Sequence, residues 1–419
     1  MDLQFTTLGA LIGLVVAIIL IIKKVQPAYG LILGALIGGL IGGGLAGTVS
    51  TMVSGAGSMM SSVLRILTSG ILAGALIKTG AAQKIAETIV DTIGEKRAIA
   101  ALAVATMIIC AVGVFIDIAV ITVAPIALAI GERAGLSKSG ILLAMIGGGK
   151  AGNIVSPNPN TIAVTEAFQL DLTAVMLKNL IPAICALIAT IVLASLLAKK
   201  AGDGISQNDL EAAPAEKLPN ALQAFAGPLT VIVLLALRPL AKISVDPLIA
   251  LPLGGLVCIL VTGNIRNLIP YTDFGLSKVI GVAILLIGTG TIAGIIKASA
   301  LQKDMTTLLS AMNMPAFILA PLSGILMAAA TASTTAGSTV ASQTFSGTLL
   351  AAGVPALSAA AMIHAGATVL DSLPHGSFFH ATGGSVYMDI KNRMKLIPFE
   401  ALIGLTSTIV AVILYLVAA

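Results

Sequence analysis

Tryptophan is absent from this 419-residue chain, and histidine and cysteine occur three times each. Charged residues make up 10% of it, against about 25% in a soluble domain. That scarcity excludes an ordinary water-soluble globule. The cysteines, Cys110, Cys185 and Cys258, all lie in apolar runs. Their odd number and spacing suit neither a disulfide framework nor zinc, so they read as small buried hydrophobes and no metal site is expected. Aromatic residues are 3% of the chain, which leaves little material for an interfacial belt. The signatures His-Glu-x-x-His and Gly-x-Ser-x-Gly and an Asp-Asp-x-x-Asp cluster are missing. The chain therefore does not read as an intramembrane enzyme, and no catalytic residue or cofactor is expected. The net charge of +5 calls for no nucleic acid; in a membrane protein it reflects cytoplasmic Lys/Arg bias.

What is abundant is apolar length. Hydrophobic residues are 57% of the chain, and there are 44 glycines, as expected where helices pack closely in lipid. Runs at 7–22, 27–46 and 63–80 read as three membrane spans. The opening Met-Asp-Leu-Gln carries no basic leader, so the first run is expected to be a retained span rather than a signal peptide. Lys23-Lys24 follows the first span, and Lys78, Lys84, Lys96 and Arg97 follow the third. Both clusters fall on the cytoplasmic side if the N-terminus is outside.

Residues 98–131 are apolar, with Asp117 near their middle, and end in the charged loop Gly-Glu-Arg-Ala-Gly-Leu-Ser-Lys138. A span needs about 20 residues. This stretch is too long for one and too short for two, which predicts a re-entrant helical hairpin. Residues 139–170 then read as a broken helix around Gly147-Gly-Gly-Lys-Ala-Gly-Asn-Ile-Val-Ser-Pro-Asn-Pro-Asn-Thr161. Pro157 and Pro159 remove backbone donors and clash with the preceding turn. Unwound backbone at membrane depth is tolerated only inside protein or along a wet cavity. Such breaks mark substrate or ion sites in secondary transporters. A span at 175–198 closes this half.

The one long polar stretch, 199–221, reads as a cytoplasmic linker between an N-terminal repeat, 1–198, and a C-terminal repeat, 222–419. The second half offers spans at 222–240, 245–262 and 276–297, and a hairpin at 315–352 interrupted by Thr331-Ala-Ser-Thr-Thr-Ala-Gly-Ser-Thr339. A broken helix at 355–388 and a last span at 397–417 follow. Aligning Met145-Ile146 with Met362-Ile363 brings Pro157 onto Pro374, and Lys78-Thr-Gly-Ala-Ala-Gln-Lys84 resembles Lys297-Ala-Ser-Ala-Leu-Gln-Lys303. The expected fold is an all-α polytopic membrane protein of two inverted-topology repeats, with the site at their interface.

Few side chains at membrane depth can carry chemistry. Asp117 sits among apolar neighbours, where a carboxylate costs roughly 2.5–3.5 kcal/mol and normally faces a cavity or a partner. It reads as a proton carrier or as a structural partner of Lys150. Asp371 and His375 lie one helical turn apart and read as a coupled proton-carrying pair or as a cap and a satisfied polar group. His364 and His380 read as structural or surface groups. Asn153, Ser156, Asn158, Asn160 and Thr161 at one break, with Ser333, Thr334, Thr335, Ser338, Thr339 and Ser377 in the second half, offer amides and hydroxyls. With freed helix N-termini they suit a small organic anion carrying hydroxyls. Lys150 is a candidate partner for the substrate's carboxylate. Unwound carbonyls with Ser, Thr and Asn also hold sodium, so sodium coupling stands beside proton coupling.

Three of these segments resemble the gluconate permease (GntP) family of the ion transporter superfamily: Val114-Phe-Ile-Asp-Ile-Ala, Ser156-Pro-Asn-Pro-Asn-Thr-Ile-Ala, and Thr331–Ala341 with Asp371–Phe379. Asn158 stands between the prolines where gluconate permeases tend to have His, and Asp117 where they tend to have Glu. The resemblance implies proton-coupled uptake of gluconate-like acids across a bacterial inner membrane. It also implies a scaffold domain, an elevator-like transport domain built from the hairpins and broken helices, and a homodimer.

Overall fold

The computed structural model describes residues 5–199, 203–206, 209, 218–243, 245–311 and 315–418. Among them the regular structure is helical, with only two isolated β-bridges. The first half comprises α1 (Thr7–Ile22), α2 (Pro27–Gly43), α3 (Leu45–Gly57), α4 (Met60–Lys78), α5 (Ala81–Ile93), α6 (Ala98–Ala111), α7 (Ile116–Arg133), α8 (Lys138–Asn153), α9 (Pro159–Phe168), α10 (Leu172–Lys178) and α11 (Leu180–Ala198). The second comprises α12 (Ala221–Ala241), α13 (Pro247–Val261), α14 (Leu268–Lys297), α15 (Leu301–Ala311), α16 (Leu319–Thr331), α17 (Thr334–Ala351), α18 (Ala356–Gly366), α19 (Ser377–Gly384) and α20 (Ile390–Ala418).

Among the described residues, four stretches are long and apolar enough to cross a membrane: Leu45–Lys78, Leu180–Ala198, Ile265–Lys297 and Ile390–Ala418. Their outward faces are apolar. Ile188, Val192 and Leu196 on α11, and Ile409 and Ile413 on α20, are exposed, a pattern that fits hydrocarbon and not water.

Glycine sets how closely helices approach. A methyl on Gly275 of α14 would sit 1.9 Å from the Gly70 carbonyl oxygen of α4, and one on Gly148 of α8 would sit 2.0 Å from the Ala103 carbonyl oxygen of α6. No side chain fits at either crossing, as expected of tight helix contacts in lipid. The glycines at 147–149 therefore serve packing. The sequence suggests unwinding from Gly147 onward, but α8 stays helical to Asn153 and only 154–158 is irregular.

Helices α6 and α7 pack together across the turn 112–115, where Gly113 takes φ 110°. Helices α16 and α17 do the same across Ala332-Ser333. Ala332 adopts φ 46°, a left-handed conformation uncommon outside glycine, asparagine and aspartate. Ala332 borders the cavity described below. The second helix of each hairpin packs on the far segment of the other half's broken helix, α7 on α19 and α17 on α9. That exchange brings both breaks and both hairpin tips to one place. Meanwhile α4 and α14 pack against each other and against α13 and α3, respectively.

Some elements differ from the sequence expectation. Helix α3 fills the stretch between the second and third apolar runs, because Gly44 at φ 86° ends α2 and a new helix begins at once. Amphipathic helices α5 and α15 begin inside the similar Lys78–Lys84 and Lys297–Lys303 segments, at Ala81 and Leu301. Helix α14 starts at Leu268, well before the span expected from 276. Much of the 199–221 linker lies outside the described residues. Its described part is held at the start of α8: Asp203 accepts from the Ser139 backbone N at 3.0 Å and Oγ at 2.6 Å, and Lys138 donates to Asp209 at 2.7 Å.

Candidate functional site

A cavity of about 370 Å³ opens where the two hairpin tips meet the two breaks. Phe115, Ile116 and Asp117 come from the first tip, Thr331 to Ala336 from the second, Asn153 and Asn160 from the first break, and Asp371, Ser377 and Phe378 from the second. The remaining wall is Gln26 and Pro27 at the start of α2, with Lys278, Gly281, Val282 and Leu285 of α14. Helices α7, α9, α17 and α19 all begin beside it. The positive ends of their dipoles lie beside it, which favours an anion, although the first donors of α9 are themselves taken by Asn158.

The first break is organised by three asparagines. Asn158 accepts from the backbone N of Asn160 at 3.0 Å and of Thr161 at 3.1 Å, which caps α9. Its amide donates to Asn153 Oδ1 at 2.6 Å and to the Asn153 carbonyl at 3.0 Å. Asn160 donates to the same Asn153 Oδ1 at 2.9 Å. What remains is Asn153 Nδ2 and Asn160 Oδ1, buried and without a protein partner. A buried polar atom left unpaired costs about 1–3 kcal/mol. Both residues border the cavity, so one unpaired donor and one unpaired acceptor lie just beneath its wall.

The second break is organised by an ion pair. Lys150 of α8 donates to Asp371 and to the Thr368 carbonyl, the latter at 2.6 Å. Asp371 also accepts from Thr334 Oγ1 at 2.6 Å and from Ser372 Oγ at 2.9 Å. Lys150 and Asp371 are each 2% exposed.

The sequence-derived candidates divide accordingly. Asp117, Asn153, Asn160, Ser333, Thr334, Thr335, Asp371 and Ser377 line the cavity. Ser156, Asn158, Thr161, Ser338 and Thr339 are buried close by in sequence but do not line it. Asn158 and Thr161 are engaged in capping, and Ser338 Oγ donates to the Thr335 carbonyl at 3.3 Å. The alternative pairing of Lys150 with Asp117 is not formed: Lys150 reaches Asp371, because α8 ends against the second break. This contact also occupies the ammonium that the sequence offers to a substrate carboxylate. Asp371 and His375 do not pair either. The break 367–376 is not helical, so the one-turn spacing does not apply, and His375 Nε2 lies 3.3 Å from the Ala330 carbonyl. His364 is fully buried on α18, and His380 bonds the Pro374 carbonyl at 2.9 Å.

Sequence reasoning misses Lys278, which lines the cavity from α14. Starting the span at 276 makes Lys278 look like a flank, whereas α14 begins ten residues before it, at Leu268. It also misses Arg65 of α4, which forks onto Asp246 at 2.9 and 2.7 Å and contacts Glu166 of α9. Arg393, just ahead of the last expected span, is buried with Glu400 and donates to Thr382 of α19 at 3.2 Å.

The GntP family permease model matches residues 5–418. The chain belongs to the GntP permease family. A relative from Haemophilus influenzae, described as an uncharacterized transporter, is 57% identical over 411 residues, covering 98% of each chain. An uncharacterized permease of the same organism is 26% identical over 148 residues, 35% of this chain and 30% of that protein. In fold, this permease is similar to the Alcanivorax borkumensis YdaH transporter, whose crystal structure is described as revealing an unusual topology. The TM-score is 0.71 at 13% identity, with 96% of this chain and 97% of that one covered. This permease is thus an integral membrane transporter of a small solute, not an enzyme.

Proposed function

We propose that this permease is a proton-coupled symporter of gluconate-like sugar acids or small hydroxy-monocarboxylates. The observation that carries the reading is the cavity at the meeting of both hairpin tips and both breaks, lined by Asn153 and Asn160, whose Nδ2 and Oδ1 atoms lie unpartnered just beneath its wall. Hydroxyls of a sugar acid satisfy both atoms, and converging helix N-termini favour its carboxylate. Asp117 is the proton carrier in this reading. It is the one cavity carboxylate without a buried ion-pair partner among the described residues, since Asp371 is held by Lys150.

The hairpins and broken helices move as one transport unit against α1–α4 and α12–α14. This elevator-like motion is supported by the exchange of packing between halves, α7 on α19 and α17 on α9. The two halves act as inverted repeats, the N-terminus lies outside a bacterial inner membrane, and the permease works as a homodimer, in line with its family.

Uptake into proteoliposomes tests the function. A panel of sugar acids and hydroxy acids is offered under a pH gradient and, separately, a sodium gradient. Accumulation of an acid with the pH gradient alone is expected. Accumulation driven by sodium alone replaces proton with sodium coupling, and uptake of neutral sugars in place of acids removes the substrate class.

A further inference from the structure

The cavity is bounded by two groups of helices, and its charges are divided between them. Asp117, Asn153, Asn160 and Asp371 belong to the hairpins and breaks. Asp371 is neutralised by Lys150. Lys278 belongs to α14, which packs on α2, α3 and α4. Among the lining residues Lys278 is the one cation; no carboxylate pairs with it directly among the described residues, and Asp117 is the acidic group whose charge reaches it across the cavity. Its ammonium is 4.9 Å from the Phe274 ring centroid, a face it shares with Lys78 at 4.3 Å. Two cations against one ring leave Lys278 poorly satisfied by that contact, since the ring's attraction amounts to about 0.5–1 kcal/mol at exposed sites.

We propose that Lys278 is the charge-recognition residue for the substrate's carboxylate, supplied by α14, while Asn153 and Asn160 recognise its hydroxyls from the first break. This rests on the anionic-substrate reading above. It assigns the two halves of recognition to two different bodies. Lys278 presents three N–H donors and no acceptor, so it selects an anion over a neutral polyol of the same size. Asn153 Nδ2 and Asn160 Oδ1 offer one donor and one acceptor, as adjacent hydroxyls require.

A consequence follows from the division. When the hairpins and breaks move past α14, the amides travel with the substrate and Lys278 stays behind. The affinity is therefore higher on the face captured here than on the opposite face. Lys278 acts in capture and surrender on one side, and the amides act on both.

The test is a sided measurement. Wild-type protein, Lys278→Gln, Lys278→Arg and Asn153→Ala are reconstituted in one orientation, and the KM for the acid taken up by the wild type is measured from each face. Lys278 is on an exposed face of α14, so its variants are expected to melt like the wild type. Lys278→Gln should raise KM about ten-fold or more from one face only, the loss of one hydrogen bond to a charged group. Lys278→Arg should restore most of it. Asn153→Ala should raise KM from both faces. A Lys278→Gln variant with unchanged KM from both faces overturns the assignment of charge recognition. One raised equally from both faces overturns the division between bodies. If the wild type takes up no acid at all, the anionic-substrate reading itself falls, a result separable from either.

Discussion

Lys150 and Asp371 join the two halves of the chain through one buried ion pair. Lys150 lies in the last turn of α8, and Asp371 lies in the break that follows α18. Thr334 at the start of α17 donates to the same carboxylate. One contact thus fixes the first broken helix, the second break and the second hairpin tip relative to one another. The pair is a positioning device for the cavity wall.

Breaking such a pair strands a charge in the protein interior, at a cost of about 3–5 kcal/mol. Lys150→Met and Asp371→Leu should each lower the melting temperature in detergent sharply. The double variant should recover much of the loss, because replacing a buried ion pair by apolar groups is often near neutral. Additive losses in the double variant would show that the two side chains act independently.

Asp117→Asn should abolish accumulation against a gradient while leaving counterflow measurable. The amide keeps the shape of the side chain but carries no exchangeable charge. Accumulation of substrate by this variant under a pH gradient would place the carrier elsewhere.

The three asparagines should separate by role. Asn158→Ala removes the cap of α9 and should cost about 0.5–2 kcal/mol of stability, read as a lowered melting temperature. Asn160→Ala removes a cavity-facing amide and should weaken substrate binding about ten-fold, with a smaller effect on melting. Equal effects of both variants on both quantities would contradict the separation.

Arg65 of α4 contacts Glu166 of α9 and Asp246 before α13, so it spans the boundary between the proposed frame and the proposed moving unit. Cysteines at 65 and 166, in a background lacking the partly buried Cys185, should accept a short bismaleimide. Cross-linking should arrest transport, and full-rate transport after complete cross-linking would rule out relative motion of α4 and α9.

Acid should loosen the linker. Lys138 and Ser206 hold the Asp209 carboxyl at about 2, below the ordinary 3.8. The folded pKa is the lower one, so the contact's contribution is fully present above about pH 4 and fades as pH falls through about 2. Pepsin cleavage between Asp203 and Leu218, normalised to an unstructured peptide, should therefore rise across that window. In Asp209→Asn it should already be high at pH 4. A wild type and variant that cleave alike at every pH would remove Asp209 from the linker's anchoring.

Apolar run length and proline position placed much of this protein before any tertiary contact. Helices α6 and α7 occupy most of the apolar stretch that begins at Ala98, and helices stop near Pro157 and Pro374. These are local effects: a proline removes its donor wherever the chain goes, and apolar length needs no partner to be counted. The partners of the polar side chains were not legible in this way. That Lys150 meets Asp371 and not Asp117, that Asn158 caps while Asn153 and Asn160 face the cavity, and that Lys278 borders it at all depend on helices far apart in sequence crossing at glycines. Tertiary structure alone decided them, because a polar group in a low-dielectric interior takes whichever partner packing brings within about 3 Å.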